Sequence, residues 1–147
     1  MENTTILDIM VAQHGLLEVL FQAFKDEFKE NPEAAKKFLS EFSWEIKKHF
    51  FIEDQAIFAL LPWKDPEISE IVHGLKKEHI TMLDKLEKML ENLSDESEEE
   101  MQGFLKLMTS HREKEEQKLY PLLDEKLSKA EKNLIISRVN EIPISNK

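Results

Sequence analysis

A chain of 147 residues with a formal charge of -10 is long enough to remove roughly two-thirds of its unfolded surface from water, but offers no basic footprint for nucleic acid or an anionic membrane surface. With no cysteine, disulfides, thiolate metal sites, iron-sulfur ligation and cysteine nucleophiles are excluded, so any metal must be held by nitrogen and oxygen. Glycine and proline are few, Glu, Lys, Leu, Ala and Met run in long stretches, and β-branched residues never alternate with polar ones over a strand's length, so the expected class is all-α.

The first segment, MENTTILDIMVAQHG, has neither a basic n-region nor a long apolar core, so it reads as neither signal peptide nor membrane span, and the cytoplasm is the expected location. A first helix is expected from Thr5 to about Glu30, with Met10, Leu17, Phe21, Phe24 and Phe28 on one face. Asn31 and Pro32 then cap and open a second helix, running to about Leu61 through Phe38, Phe42, Ile52, Ala56 and Leu60. Asp65 and Pro66 do the same for a third, whose stripe is Ile68, Val72, Leu75, Met82, Leu86, Met89 and Leu93.

Ser94 is the expected cap of a fourth helix, and the following DESEEE run puts negative charge at the positive end of its dipole. This helix carries Met101, Phe104, Met108, Leu119 and Leu122, with a kink expected at Pro121. Four helices with short connections pack as an up-down-up-down bundle over residues 1–127, leaving residues 128–147 as a tail with the pattern of a short helix through Leu134, Ile135 and Val139.

Four of the five histidines fill gaps in these stripes: His14, His49, His79 and His111, one per helix. Glu53 and Glu115 follow His49 and His111 by four residues and share their faces. One histidine on an apolar face is commonly a hydrogen-bonded core residue. Four of them with two buried carboxylates, and no Lys or Arg on the same stripes near them, call for a multivalent cation. The levels agree as well, each histidine lying about 13 to 17 residues from the turns beside it, so mismatches amount to a few Å at ~1.5 Å per residue.

The segments HFFIEDQAIFALL from His49 and HREKEEQKLYPLL from His111 repeat His, Glu, an acid, Gln, an aromatic and two leucines. Shared packing needs of paired hairpins could produce this echo, but it also suits two metals placed symmetrically. Four imidazoles and two bridging glutamates suffice for two ions with a solvent-derived bridge and an open position on each. The donor set suits iron, with manganese or zinc possible by ligand type. It differs from the Glu-x-x-His pattern of ferritin-like carboxylate sites.

With the Gln-His of QHGLLEVL, HFFIEDQAIF, EHITMLDKL and HREKEEQKLYPLL, the chain from His14 to about Leu123 resembles the hemerythrin-like, histidine-histidine-glutamate (HHE) cation-binding family. The resemblance implies a non-haem di-iron site able to meet O2 or NO, in roles from oxygen carriage and sensing to iron handling and repair of iron centres. Oxygen-carrying hemerythrins have a second histidine four residues from the one on the third helix. Here those positions are Leu75 and Leu83, and His73 is off the inward stripe, an expected surface residue. The ligand set is similar instead to the di-iron domain of iron-sulfur cluster repair proteins, whose cysteine-bearing amino-terminal segment this sequence lacks.

Glu18, four residues after His14, reads as a flanking residue outside the ligand set. Asp54, Glu78 and Glu116 sit beside ligand candidates, where solvent exposure is the simpler expectation and acceptance of imidazole protons the alternative. Tyr120, nine residues after His111, is expected only to pack. Three functions remain distinct: a module binding O2 or NO that works through a protein partner in signalling or delivery; a redox enzyme or iron-donating repair factor; and a structural bundle that binds zinc or nothing.

Overall fold

The computed structural model describes residues 5–93 and 98–141. Among these, six α-helices follow one another without a strand: α1 Ile6–Glu27, α2 Pro32–Ile52, α3 Pro66–Glu91, α4 Glu98–Lys114, α5 Tyr120–Lys126 and α6 Lys129–Glu141. Helix α2 continues through a π turn at Glu53–Ile57 and a 3-10 turn at Phe58–Leu60, and a second π turn, Glu115–Leu119, joins α4 to α5. The all-α class read from composition is therefore the observed one.

Local chemistry starts the helices where expected. Thr5 and Asp8 form a reciprocal capping box at α1, which satisfies two backbone donors that the first turn leaves without partners. Asn31 accepts from the Ala34 N–H ahead of α2, and Asp65 accepts from Glu67 and Ile68 ahead of α3, each with proline opening the helix. Helix α1 ends near Glu27 rather than Glu30, its last residues forming a turn. The Ser94 cap and Pro143 lie outside the described residues, but Glu98, Glu99 and Glu100 do occupy the first turn of α4.

Helix α1 has the length and, with a mean hydropathy of 1.3, the composition of a membrane-crossing helix, more apolar than the reading of the amino terminus allowed. Six of its residues, including His14, Phe21 and Phe24, are buried in the bundle, while Val11, Leu16 and Val19 are exposed.

The core divides in two. One cluster gathers Ile6 and Met10, the end of α2 with its turns, the start of α3, and Leu119 to Leu123. The other gathers Leu17 to Phe24, Ala35 to Phe50, Met82 to Met89, and Met101 to Met108. Each of the four long helical segments passes from one cluster to the other along its length. Ile135 and Val139 of α6 close the first cluster, packing beside the π turn of α2 and beside α1. Between the clusters lies a polar layer.

Candidate metal centre

The polar layer consists of His14, His49, Glu53, His79, His111 and Glu115, all buried, with both glutamates at 0% exposure. Each helix of the four contributes one imidazole because its histidine stands where the apolar period requires an inward residue. The histidines pair within hairpins: His14 and His49 rings are 4.8 Å apart, as are His79 and His111. Two groups result, His14–His49–Glu53–Glu115 and Glu53–His79–His111–Glu115, and in each the donor atoms lie within 4.8 Å of one another. Both carboxylates belong to both groups.

Three imidazoles are hydrogen-bonded from behind, and the fourth faces a carboxylate. His14 Nδ1–H donates to Glu116 Oε2 at 2.6 Å, His49 Nδ1–H to Gln13 Oε1 at 2.6 Å and His111 Nδ1–H to Glu78 Oε1 at 2.8 Å. His79 Nδ1 lies 3.7 Å from Asp54 Oδ1, a looser ion pair. Every one of these partners is a sequence neighbour of a different inward residue, and each reaches across to the adjoining helix. Gln13 holds His49, Asp54 faces His79, Glu78 holds His111 and Glu116 holds His14, closing a ring around the bundle. Glu78 and Glu116 are therefore not simply solvated, correcting the expectation for them, and Lys114 pairs with the outer side of Glu78.

This arrangement leaves the Nε2 atoms facing the carboxylates. Glu53 Oε1 is 3.0 Å from His79 Nε2 and 3.6 Å from His49 Nε2; Glu115 Oε1 is 3.0 Å from His14 Nε2, and its Oε2 is 3.3 Å from His111 Nε2. Despite those distances, Glu53 Oε1, both Glu115 oxygens and the Nε2 atoms of His79 and His111 are buried without a hydrogen-bond partner. Orphaned acceptors of this kind cost free energy that a cation offsets, and neither Glu53 nor Glu115 has a Lys or Arg ion-pair partner among the described residues. The residues present thus fit a metal held by nitrogen and oxygen.

The electrostatics separate the four imidazoles. Burial pushes His49, whose Nδ1 partner is a neutral amide, down to about 3. Burial acts the same way on His79, but Asp54 and Glu53 outweigh it and raise that group to about 9. His14 is likewise raised against burial by Glu115 and Glu116, and His111 by Glu115. Burial would raise Glu115, yet contacts with Glu53, His111 and His14 hold its carboxyl well below the usual range.

Tyr120 departs from expectation. It is fully buried and its hydroxyl donates to Glu53 Oε2, while burial and the charges of Glu115 and Glu53 hold its proton on, well above the usual phenol range. In an α-helix, Tyr120 would lie about 140° around the axis from Glu115, five residues earlier. The π turn, whose Tyr120 N–H bonds to the Glu115 carbonyl, puts residues five apart on one face. This widened turn stands immediately before Pro121, where a kink was expected. Its counterpart at Glu53–Ile57 contains no proline, so proline is not the shared cause; each π turn begins on a buried glutamate.

A cavity opens beside the layer, lined by the layer's His14, His49 and His111, by Leu17, Ile46, Phe50, Met82 and Met108, and by Glu18 and Arg112. It offers about 20 Å³ to the centre of a water-sized molecule, room for one such molecule. Glu18 Oε1 lies 2.8 Å from Arg112 Nε, both partly exposed, so Glu18 flanks the site without entering it. His73 is exposed on α3 and apart from the layer, as its stripe position implied.

An all-α bundle with a buried histidine-carboxylate layer of this composition is a cation-binding fold. Residues 5–123 match the Hemerythrin HHE cation binding domain, most of the chain, and the protein belongs to that family. No curated protein and no solved structure matches it significantly.

Proposed function

We propose that this chain is a non-haem di-iron protein that binds O2 or NO for sensing, storage or delivery. In this reading His14 and His49 hold one iron, His79 and His111 hold the other, and Glu53 and Glu115 serve both. The observation that carries it is the set of orphaned buried donors in two overlapping groups, beside a cavity with room for one small molecule. Bound iron would supply a redox-active centre with affinity for diatomic ligands.

The chain's own residues perform the rest. Nδ1–H donation to Gln13, Glu78 and Glu116 fixes the tautomer that leaves Nε2 free to ligate. Leu17, Ile46, Phe50, Met82 and Met108 line the cavity with apolar surface, which limits water and favours an uncharged ligand.

Metal analysis of iron-grown protein, followed by visible spectra of the reduced form exposed to O2 and to NO, tests this. About two irons per chain and a stable, reversible spectral change are expected. Rapid bleaching with turnover would instead mark a redox enzyme or repair factor. A colourless protein whose melting temperature is indifferent to chelator would sink the di-iron reading.

A further inference from the structure

The two halves of the centre are related by the repeat that pairs His49 with His111, Glu53 with Glu115 and Asp54 with Glu116. The same repeat pairs Phe58 with Tyr120, each five residues after a buried glutamate and each brought to the layer by a π turn. Their rings occupy corresponding places: Phe58 stacks near His79 with centroids 6.0 Å apart, and Tyr120 near His14 at 6.4 Å. Both are at 0% exposure. The rings are alike in packing, and only the hydroxyl separates them.

That hydroxyl donates to Glu53 Oε2 within hydrogen-bond distance, and Glu115 stands beside it as a weaker neighbour. With Oε2 engaged, Glu53 presents Oε1 to both hairpins, 3.0 Å from His79 and 3.6 Å from His49. Among the described residues neither Glu115 oxygen has a hydrogen-bond partner, and Glu115 divides them, Oε1 toward His14 at 3.0 Å and Oε2 toward His111 at 3.3 Å. Resting on the reading of these six side chains as metal ligands, we infer that Tyr120 is a positioning residue that fixes the orientation of Glu53 through Oε2, making the two shared carboxylates inequivalent. A phenol serving only to fill space needs no hydroxyl here, since phenylalanine fills the equivalent place across the repeat.

Tyr120 is the only tyrosine in the chain, so protein labelled with 3-fluorotyrosine gives one fluorine resonance that reports this contact directly. Zinc is the probe for the labelled chain and cobalt the probe for the variant and its wild-type control, with uptake of each followed in parallel by calorimetry. Zinc binding accompanied by a shift of that resonance is expected. The Tyr120→Phe variant should keep its helical circular dichroism, bind cobalt about 10- to 100-fold more weakly, as loss of an outer partner does, and show an altered cobalt ligand-field spectrum. If zinc binds while the resonance stays in place, or the variant reproduces the wild-type cobalt spectrum, Tyr120 only packs and the inference is wrong. Failure of the wild type to bind zinc or cobalt would remove the metal centre itself, a separate result from the calorimetric trace. Should Tyr120→Phe not fold, the labelled wild-type chain still decides.

Discussion

Glu53 and Glu115 are fully buried, have no Lys or Arg ion-pair partner among the described residues, and face four imidazole edges. Their substitution separates a metal-bridging role from a merely buried one. Replacing both with alanine should abolish iron uptake by metal analysis while leaving the helices intact. Retention of two irons in that double variant would show that the carboxylates are not the shared ligands. The imidazoles differ by what stands behind them: a carboxylate hydrogen-bonds Nδ1 of His14 and of His111, and an amide that of His49. Gln13→Glu should therefore raise the His49 pKa from about 3, seen by NMR titration of the metal-free chain. The sequence offered Asp54, Glu78 and Glu116 as imidazole acceptors, but which histidine each one serves was not legible in it. Neighbours of inward residues point sideways along their own helix, and only packing decides which adjoining helix they reach.

At the scale of the element, capping and periodicity were readable because they depend on residues three or four apart. Asn31, Pro32, Asp65 and Pro66 mark their helix starts as the sequence suggested, and Asn31→Ala should lower stability by about 1 kcal/mol in urea unfolding. The π turns were invisible, since one extra residue in a turn leaves no composition signal and shifts every later side chain around the axis. Hence Leu123, rather than Leu122, is fully buried after the second π turn, and Tyr120 reaches Glu53. The tail became interpretable only in three dimensions: Ile135 on α6 is 1% exposed against the first core cluster. Ile135→Ala should cost about 2–4 kcal/mol, and an unchanged unfolding midpoint would mean α6 contributes little to that core.

For the whole molecule, a metal that binds only the folded chain couples uptake to stability, about 4 kcal/mol when its free concentration is a thousandfold above the dissociation constant. Chelation should lower the melting temperature accordingly. pH acts on this coupling with a definite sign. In the metal-free chain His79 is raised from 6.5 to about 9, so its contribution to stability is fully present below pH 6.5 and is lost as pH rises through 9. Metal binding requires the neutral imidazole and so releases that proton, strengthening over the same interval. The difference in melting temperature between metal-loaded and metal-free protein should widen from pH 6.5 to pH 9, and a constant difference would contradict the assignment of His79 as a ligand. His49 acts oppositely. Held down to about 3, it is buried neutral, and the stability tied to that form is lost as pH falls from 6.5 toward 3.

The sequence by itself determined the helical class, the starts of the first three helices and the six inward nitrogen and oxygen donors, because an α-helix repeats every ~3.6 residues and a polar residue interrupting an apolar stripe announces itself. The repeat also disclosed that the two hairpins are built alike. Tertiary structure alone decided how those donors are held, which acid or amide stands behind each imidazole, where the cavity opens, and that Tyr120 rather than Phe58 brings a hydroxyl to the layer. These are relations between separate helices, set by packing and by two widened turns, and no local period in the chain encodes them.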